Sequence, residues 1–207
     1  MAYRRTEQVQ ARLDAQRKRI IDAAIELLAD SGYAGCSISA VSARAGVSTG
    51  TVYNHFAGKS ELVAEVFRSV VTREVDAVHT AVDLGASSAD RTIALIETFA
   101  GRALKAPRLA FALLAEPVDP AVDALRLEFR VAFRDIAAES IAFGIECGEI
   151  PPQDPAVVAA AMVGAIGEAL VGPLAGAMDP GTVPTLITFA LRAQGIADSG
   201  ATNAQDA

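Results

Sequence analysis

The segment from Cys36 to Phe56 constrains the fold more than any other part of the sequence. Its apolar residues are spaced as in two short helices joined by a tight turn. Ser37 and Ser48 each stand where a side-chain oxygen can accept a hydrogen bond from a free N–H group at a helix start. Gly46 lies between the two helices, where glycine adopts a left-handed backbone conformation most easily. The segment therefore predicts a helix-turn-helix.

The side chains of this segment divide into an inner and an outer set. The inner face of the first helix consists of Ile38, Val41 and Ala45, and the second helix turns Val52 and Phe56 inward. The outer residues of the second helix are Thr49, Gly50, Thr51, Tyr53, Asn54 and His55. A short helix with small polar side chains at its start suits the major groove of DNA.

Several outer residues have functional groups that suit DNA. Asn54 can offer its amide to a base edge, and Tyr53 and His55 can donate hydrogen bonds to phosphates. Gly50 is a poor helix former, and two explanations of its position remain open. It either permits close approach to the DNA backbone or relieves crowding against the first helix.

Helical periodicity continues on both sides of this segment, and no alternating run of apolar residues predicts a strand. A first helix is predicted at about 15–29, before Gly32, and a long one at about 59–82. Further helices are predicted at about 89–105, 107–116, 120–147, 155–171 and 182–194. Asp119 and Asp154, each followed by proline, are predicted to cap two of them. The predicted fold class is all-α: a three-helix head with the helix-turn-helix, joined to a larger helical body.

Charge is distributed unevenly along the chain. Residues 1–60 carry eight Lys or Arg against five Asp or Glu, whereas the whole chain has a net charge of −7. A basic N-terminal part beside an acidic remainder suggests that the basic part meets a polyanion. An ordinary solvated face would explain the same charges equally well.

Several classes of protein are excluded by what the sequence lacks. Cys36 and Cys147 have no metal-ligand spacing, so we expect no disulfide or metal site and two small, buried thiols. With two histidines, His55 and His79, and no nucleophile motif, the sequence predicts no catalytic residues, no cofactor and no enzyme. The uncharged stretch at 155–167 predicts a buried helix too short to span a bilayer. The start of the chain lacks an apolar signal, so we expect a cytoplasmic protein without a membrane partner.

The helix-turn-helix and its flanks resemble the TetR family of bacterial regulators. The resemblance covers about 17–67 and includes residues 32–63, GYAGCSISAVSARAGVSTGTVYNHFAGKSELV. It rests on several residues that match the family's pattern at the same spacing: Gly32-Tyr33, Ala45-Gly46-Val47-Ser48, Gly50-Thr51, Tyr53, Phe56 and Lys59. Two departures leave the base preference open: Ser37 replaces the commoner threonine, and Thr49 stands where many members carry a basic or bulky residue.

The resemblance implies which residues face DNA. They are Ser37, Ser48, Thr49, Thr51, Tyr53, Asn54, His55 and Lys59, and the predicted DNA-binding set also includes Arg44 and Gly50. Lys59, at the start of the long helix, would meet a phosphate.

The resemblance also implies that the body binds a small molecule and forms a homodimer through the helices near 120–147 and 155–175. The second of these helices is rich in Ala and Gly, which let helices approach closely, although a helix buried within the monomer remains an alternative. The candidate pocket residues are Phe99, Arg102, Phe111, Leu114, Phe129 and Phe133. A plain hydrophobic core, or a salt bridge for Arg102, would also explain each of them.

These expectations combine into one functional prediction. The chain is predicted to be a repressor that binds a palindromic operator in double-stranded DNA as a dimer and is released by a small apolar or amphipathic effector. A transcriptional activator and a ligand-independent architectural DNA-binding protein remain alternatives. The predicted division is a flexible basic arm at 1–14, a helix-turn-helix DNA-binding domain at 15–60, a helical ligand-binding and dimerisation domain at 61–197 and a disordered tail at 198–207.

Overall fold

A computed structural model of the chain describes residues 7–176 and 179–196. Within these residues all regular structure is helical, which confirms the predicted all-α fold class. The helices are α1 (Glu7–Gly35), α2 (Ile38–Ala45), α3 (Thr49–Tyr53), α4 (Lys59–Asp83), α5 (Ser88–Lys105), α6 (Pro107–Leu114), α7 (Pro120–Glu146), α8 (Pro155–Ala175) and α9 (Thr182–Ala193). The predicted tail at 198–207 lies outside the described residues.

Two hydrophobic clusters, which we call the head core and the body core, hold the helices together. The head core collects buried side chains from α1 to α4 and from the start of α7, where Val122 lies. The body core collects buried side chains from α4 to α9. Helix α4 contributes to both, with Leu62 and Val66 in the head core and Val78 and Val82 in the body core. Burial of apolar surface along α4 joins the head to the body, and α7 does the same with Val122 in the head core and Ile136 in the body core.

Helix α1 begins earlier than the sequence pattern predicts. The predicted flexible arm at 1–14 is helical from Glu7 onward, and residues 1–6 lie outside the described ones. Residues 7–14 contain no glycine or proline, and the side chains of Gln10 and Asp14 bond at 2.8 Å one turn apart, so the helix can continue through them. The helix kinks at Gly32, where φ is 67° and where the first helix was expected to stop.

The two predicted aspartate caps have different outcomes. Asp154 accepts hydrogen bonds from the backbone N–H groups of Ala156 and Val157, as predicted for the start of α8. Asp119 has the extended backbone of a helix cap, but it makes no cap hydrogen bond. Its carboxylate instead accepts the hydroxyl of Tyr33, which is 86 residues away in the sequence. The prediction for Asp119 is therefore wrong, because a tertiary partner competes successfully for the carboxylate.

Helix α8 is more exposed than predicted, because only 28% of its most apolar stretch is buried and Val157 is 64% exposed. Among the described residues it is the one helix long and apolar enough to cross a membrane, with a mean hydropathy of 1.9. The expectation of a helix too short to span a bilayer is therefore wrong in length, because α8 continues past Glu168 to Ala175. Length and composition alone do not distinguish such a helix from the core helix of a soluble protein. Cys147 is likewise exposed rather than buried, since it follows the last residue of α7, whereas Cys36 is buried as predicted.

Head and body also meet at a polar cluster, the Tyr33 junction, which consists of Tyr33, Lys59, Glu116 and Asp119. The backbone N–H of Tyr33 donates to Glu116 at 2.8 Å, and its hydroxyl donates to Asp119. The ammonium of Lys59 donates to the carbonyl of Tyr33 at 2.6 Å and lies 3.9 Å from the centre of its ring. One residue thus ties the end of α1 to the start of α4 and to the connection between α6 and α7.

The Tyr33 junction contains a hydrogen bond from a neutral hydroxyl to an ionised carboxylate. Burial, followed by the hydrogen bond to Asp119, raises the pKa of Tyr33 to about 12. Hydrogen bonds from the hydroxyls of Tyr33 and Ser60 lower the pKa of the Asp119 carboxyl. At neutral pH the tyrosine keeps its proton and the aspartate is ionised, so the bond between them is charge-assisted.

We expect Tyr33→Phe to reduce the free energy of unfolding more at neutral pH than in acid. A carboxylate whose pKa is lowered by folding stabilises the protein above its unfolded pKa of about 3.9 and loses that contribution as the pH falls through the folded pKa. Without the hydroxyl donor, the pKa of Asp119 rises again, and the free energy of unfolding should depend less on pH below about 4. Urea unfolding at several pH values measures both effects.

Tyr53→Phe is the matched control for this experiment. The Tyr53 side chain is 57% exposed, so removal of its hydroxyl should leave the pH dependence of stability unchanged. Superimposable pH profiles for Tyr33→Phe and the wild type would contradict the charge-assisted bond.

Candidate nucleic-acid interface

The helix-turn-helix forms by the local interactions that the sequence predicts. The Ser37 hydroxyl oxygen accepts the backbone N–H of Ala40 at 3.1 Å, and the Ser48 hydroxyl oxygen accepts that of Thr51 at 3.1 Å. Gly46 ends α2 with a φ of 64°, in the left-handed region. These contacts fix where α2 ends and where α3 begins.

Three residues of the predicted inner set are buried in the head core, and the other two, Ile38 and Ala45, are partly buried and pack against it. Val41 and Val52 are completely buried, and Phe56 is nearly so. Cys36 lies in the same core, and burial raises the pKa of its thiol to about 11. Because α3 has only five residues, its position depends on this packing rather than on its own helical stability.

Four of the outer residues are exposed: Thr49, Gly50, Tyr53 and Asn54. They lie on α3 and at its end, on the side opposite Val52. This surface offers a hydroxyl, a phenol and an amide beside a residue without a side chain. Such groups can bond to base edges and phosphates, and Gly50 leaves room for a close approach of the backbone.

The other two outer residues are half-buried, and each has an internal partner. The Thr51 hydroxyl lies 2.9 Å from that of Ser48. The Nε2 atom of His55 lies 3.0 Å from the Oε1 atom of Gln16 in α1. Sequence reasoning missed Gln16, because it lies 39 residues before His55 and no local pattern connects the two.

The two basic residues of the predicted DNA-binding set are engaged within the protein. Arg44 pairs with Glu26 at 3.1 Å and with Asp30 at 3.0 Å, both in α1. Lys59 is held in the Tyr33 junction and is half-buried. Exposed ion pairs contribute little to stability, so a phosphate can readily replace those of Arg44, whereas Lys59 must leave the carbonyl of Tyr33 to meet one.

The predicted ligand residues are brought together only in part. Phe99 and Phe133 meet edge to face, with ring centres 5.1 Å apart. Phe111 and Leu114 pack with them against the body core, whereas Phe129 packs against the head core. Four of the six candidates therefore share one hydrophobic environment.

Arg102, the remaining candidate, is exposed and forms a two-pronged ion pair with Glu74 of α4, one contact being 2.9 Å from Nη2 to Oε1. This is the salt bridge that the sequence left open as an alternative. An internal cavity of about 10 Å³ lies between α5, α7 and α8, where Ser140 and Gln194 are among its lining residues. It has room for about one water molecule, and none of the six candidates lines it.

Comparison with known proteins agrees with the resemblance of the head to the TetR family. Residues 20–66 match the family model described as bacterial regulatory proteins, tetR family. An uncharacterized HTH-type transcriptional regulator of Mycobacterium tuberculosis is 33% identical over 120 residues, 56% of this chain and 54% of that protein. The HTH-type transcriptional activator FasR of Mycolicibacterium smegmatis is 33% identical over 86 residues, 42% of this chain and 39% of that protein. The chain thus spans about half the length of the first of these relatives and less than half of the second.

Solved structures agree over most of the chain. The fatty acid degradation regulator FadR of Bacillus halodurans has a TM-score of 0.75 at 20% identity, with 85% of this chain and 94% of that chain covered. The transcriptional regulator FadR of Bacillus subtilis, in complex with stearoyl-CoA, has a TM-score of 0.75 at 21% identity, with 87% and 99% covered. These likenesses establish the fold of head and body together. Residues 20–66 of the head therefore match the tetR family of bacterial regulatory proteins, and most of the chain shares the fold of the two FadR structures.

Proposed function

We propose that this protein is a ligand-responsive transcriptional regulator in which α3 reads the major groove of DNA. The observation that carries this proposal is the exposed surface of Thr49, Tyr53 and Asn54, held outward because Val52 and Phe56 are buried on the other side. The small polar side chains follow the capped start of the helix, where free N–H groups also favour a phosphate. A regulator of this kind acts on the chromosome, so we place it in the cytoplasm.

The proposal includes a homodimer that binds a palindromic operator. Exposed apolar side chains support it, since Val157 of α8 is 64% exposed and Phe189 of α9 is 45% exposed. An open groove of about 600 Å³ runs along α9 beside Phe189. Leu127 and Val131 add exposed apolar surface on α7, so the predicted interface near 120–147 and 155–175 extends to α9. Two-fold pairing of these faces would bury this surface and set two copies of α3 apart on one side of the dimer.

We propose repression as the mode of action, with the operator overlapping a promoter. Activation is the second candidate, and one observation favours it: the relative FasR is named as an activator. The contacts of α3 with DNA are the same in both cases, so the two modes differ in where the operator lies.

We further propose an amphipathic effector with a long apolar part, which enters the body beside Phe99 and Phe133. The complex of the Bacillus subtilis neighbour with stearoyl-CoA supports an acyl chain as the first probe. The cavity of about 10 Å³ beside Ser140 is far too small for an acyl chain, so the proposal includes a separation of the body helices on binding. Such a ligand would favour a more open body, and α4 would carry the change to the head.

The DNA-reading role predicts different effects for two neighbouring substitutions. Asn54→Ala should remove discrimination at one base pair, at a cost of about 1–3 kcal/mol for the preferred duplex. Tyr53→Phe should weaken binding to all duplexes evenly, because a phosphate contact carries no sequence information. Sequences enriched from a random duplex pool by the wild type supply the probe, and fluorescence anisotropy measures the dissociation constants.

Thr72→Ala, an exposed polar-to-alanine change on α4, is the control and should leave both affinity and preference unchanged. Retention of the full base preference by Asn54→Ala, Thr49→Ala and their double variant would exclude α3 as the reading helix.

The effector proposal predicts that stearoyl-CoA raises the melting temperature and weakens DNA binding. At a hundredfold excess over its dissociation constant, a ligand that binds only the folded state adds about 2.7 kcal/mol to stability. Phe99→Ala should reduce the thermal shift, and Leu84→Ala, an apolar change at a largely exposed position outside the proposed pocket and dimer face, should not. Binding of stearoyl-CoA with no change in DNA affinity would contradict the coupling.

A further inference from the structure

The N-terminal turns of α1 contain two exposed arginines, Arg12 and Arg19, beside the end of the reading helix. We propose that these two residues, which we call the arginine pair, form a second contact with the phosphates of duplex DNA. The proposal rests on the DNA-reading role of α3 and extends it to a part of the chain outside the family match. That match begins at residue 20, whereas α1 begins at Glu7.

The start of α1 is anchored against the helix-turn-helix. Gln16 contacts His55 at 3.0 Å, directly after the exposed Asn54. The guanidinium of Arg17 lies 5.2 Å from the centre of the Phe56 ring and pairs with Glu65 at 2.9 Å. These contacts hold α1 at Gln16 and Arg17 next to the exposed surface of α3, and the helix continues without a break from there back to Glu7.

The arginine pair lies on one face of α1. Arg12 precedes Gln16 by four residues and Arg19 follows it by three, and residues at these spacings share a helix face. At 1.5 Å of rise per residue, the two positions are about 10 Å apart along the axis. The face of α1 that contacts His55 through Gln16 therefore carries one arginine a turn before Gln16 and another a turn after it.

Both guanidinium groups are available to a partner. Arg12 and Arg19 are exposed, and neither has an ion-pair or hydrogen-bond partner within residues 7–176 and 179–196. The neighbouring basic residues, in contrast, have acidic partners within the protein: Lys18 pairs with Asp22 at 2.6 Å, and Arg17 pairs with Glu65. Among the described residues, the arginine pair is thus positive charge without an acidic partner.

Duplex phosphate is the partner that this chemistry fits. Arginine presents a planar fork of donors that matches a phosphate group, and its charge is permanent. Contacts of this kind position a protein on DNA without reading the bases. The arginine pair should therefore add affinity and salt dependence, while base preference stays with α3.

The test compares two double variants that remove the same charge. Arg12→Ala/Arg19→Ala removes the arginine pair, and the control Arg73→Ala/Lys105→Ala removes two exposed basic side chains from α4 and α5. Dissociation constants for one enriched duplex, measured over a range of salt concentrations, give the slope of log affinity against log salt. Each lost phosphate contact lowers the magnitude of that slope by about 0.9, so the first variant should lose about 2 and the control nothing.

The base preference should be the same in the wild type and the arginine variant, and Arg12→Lys/Arg19→Lys should keep most of the slope. Equal slopes for the arginine variant and the wild type would overturn the proposal and leave the role of α3 intact. A loss of slope shared by the control variant would overturn it as well, because net charge alone would then explain the effect. A wild type that binds no duplex would overturn both this proposal and the proposed function.

Discussion

Helix α4 buries Leu62 and Val66 in the head core and Val78 and Val82 in the body core, so one continuous helix belongs to both parts of the molecule. Close-packed cores resist sliding, so a shift of the body helices would be passed to the head along α4 and along α7, which also contributes to both cores. The Tyr33 junction lies at the start of α4 and ties it to α1 and to the connection between α6 and α7. Head and body are thus connected in two ways, through apolar packing and through a charged hydrogen-bond cluster.

The parts of the fold that the sequence predicts are those fixed by near neighbours in the chain. Ser37, Gly46 and Ser48 act on residues within four positions, and the structure places them as caps and turn as expected. Asp154 caps α8 for the same reason. The inward direction of Val52 and Phe56 follows from helical periodicity, and it leaves Tyr53 and Asn54 exposed. These short-range rules give most of the candidate interface.

The features that could not be predicted depend on contacts between distant positions. Asp119 precedes a proline, which predicts a helix cap, yet its side chain accepts the hydroxyl of Tyr33 instead, and nothing in its own neighbourhood indicates that partner. Gln16 is an ordinary polar helix residue until His55 is placed beside it. The burial of α8 was overestimated because composition records that a surface is apolar and not what covers it. The Tyr33 junction, the contact between Gln16 and His55 and the exposure of α8 are all tertiary properties, which no local pattern in the sequence records.

Hydrogen–deuterium exchange with and without an enriched duplex tests the central claim, that the head surface around α3 meets DNA. The account predicts slower exchange of backbone amides in residues 48–59 and at the start of α1, since bound DNA would cover the capped N–H groups and suppress opening of these short elements. The amides of α5 should exchange as in the free protein. Protection confined to the body helices, with unchanged exchange in residues 48–59, would contradict the account.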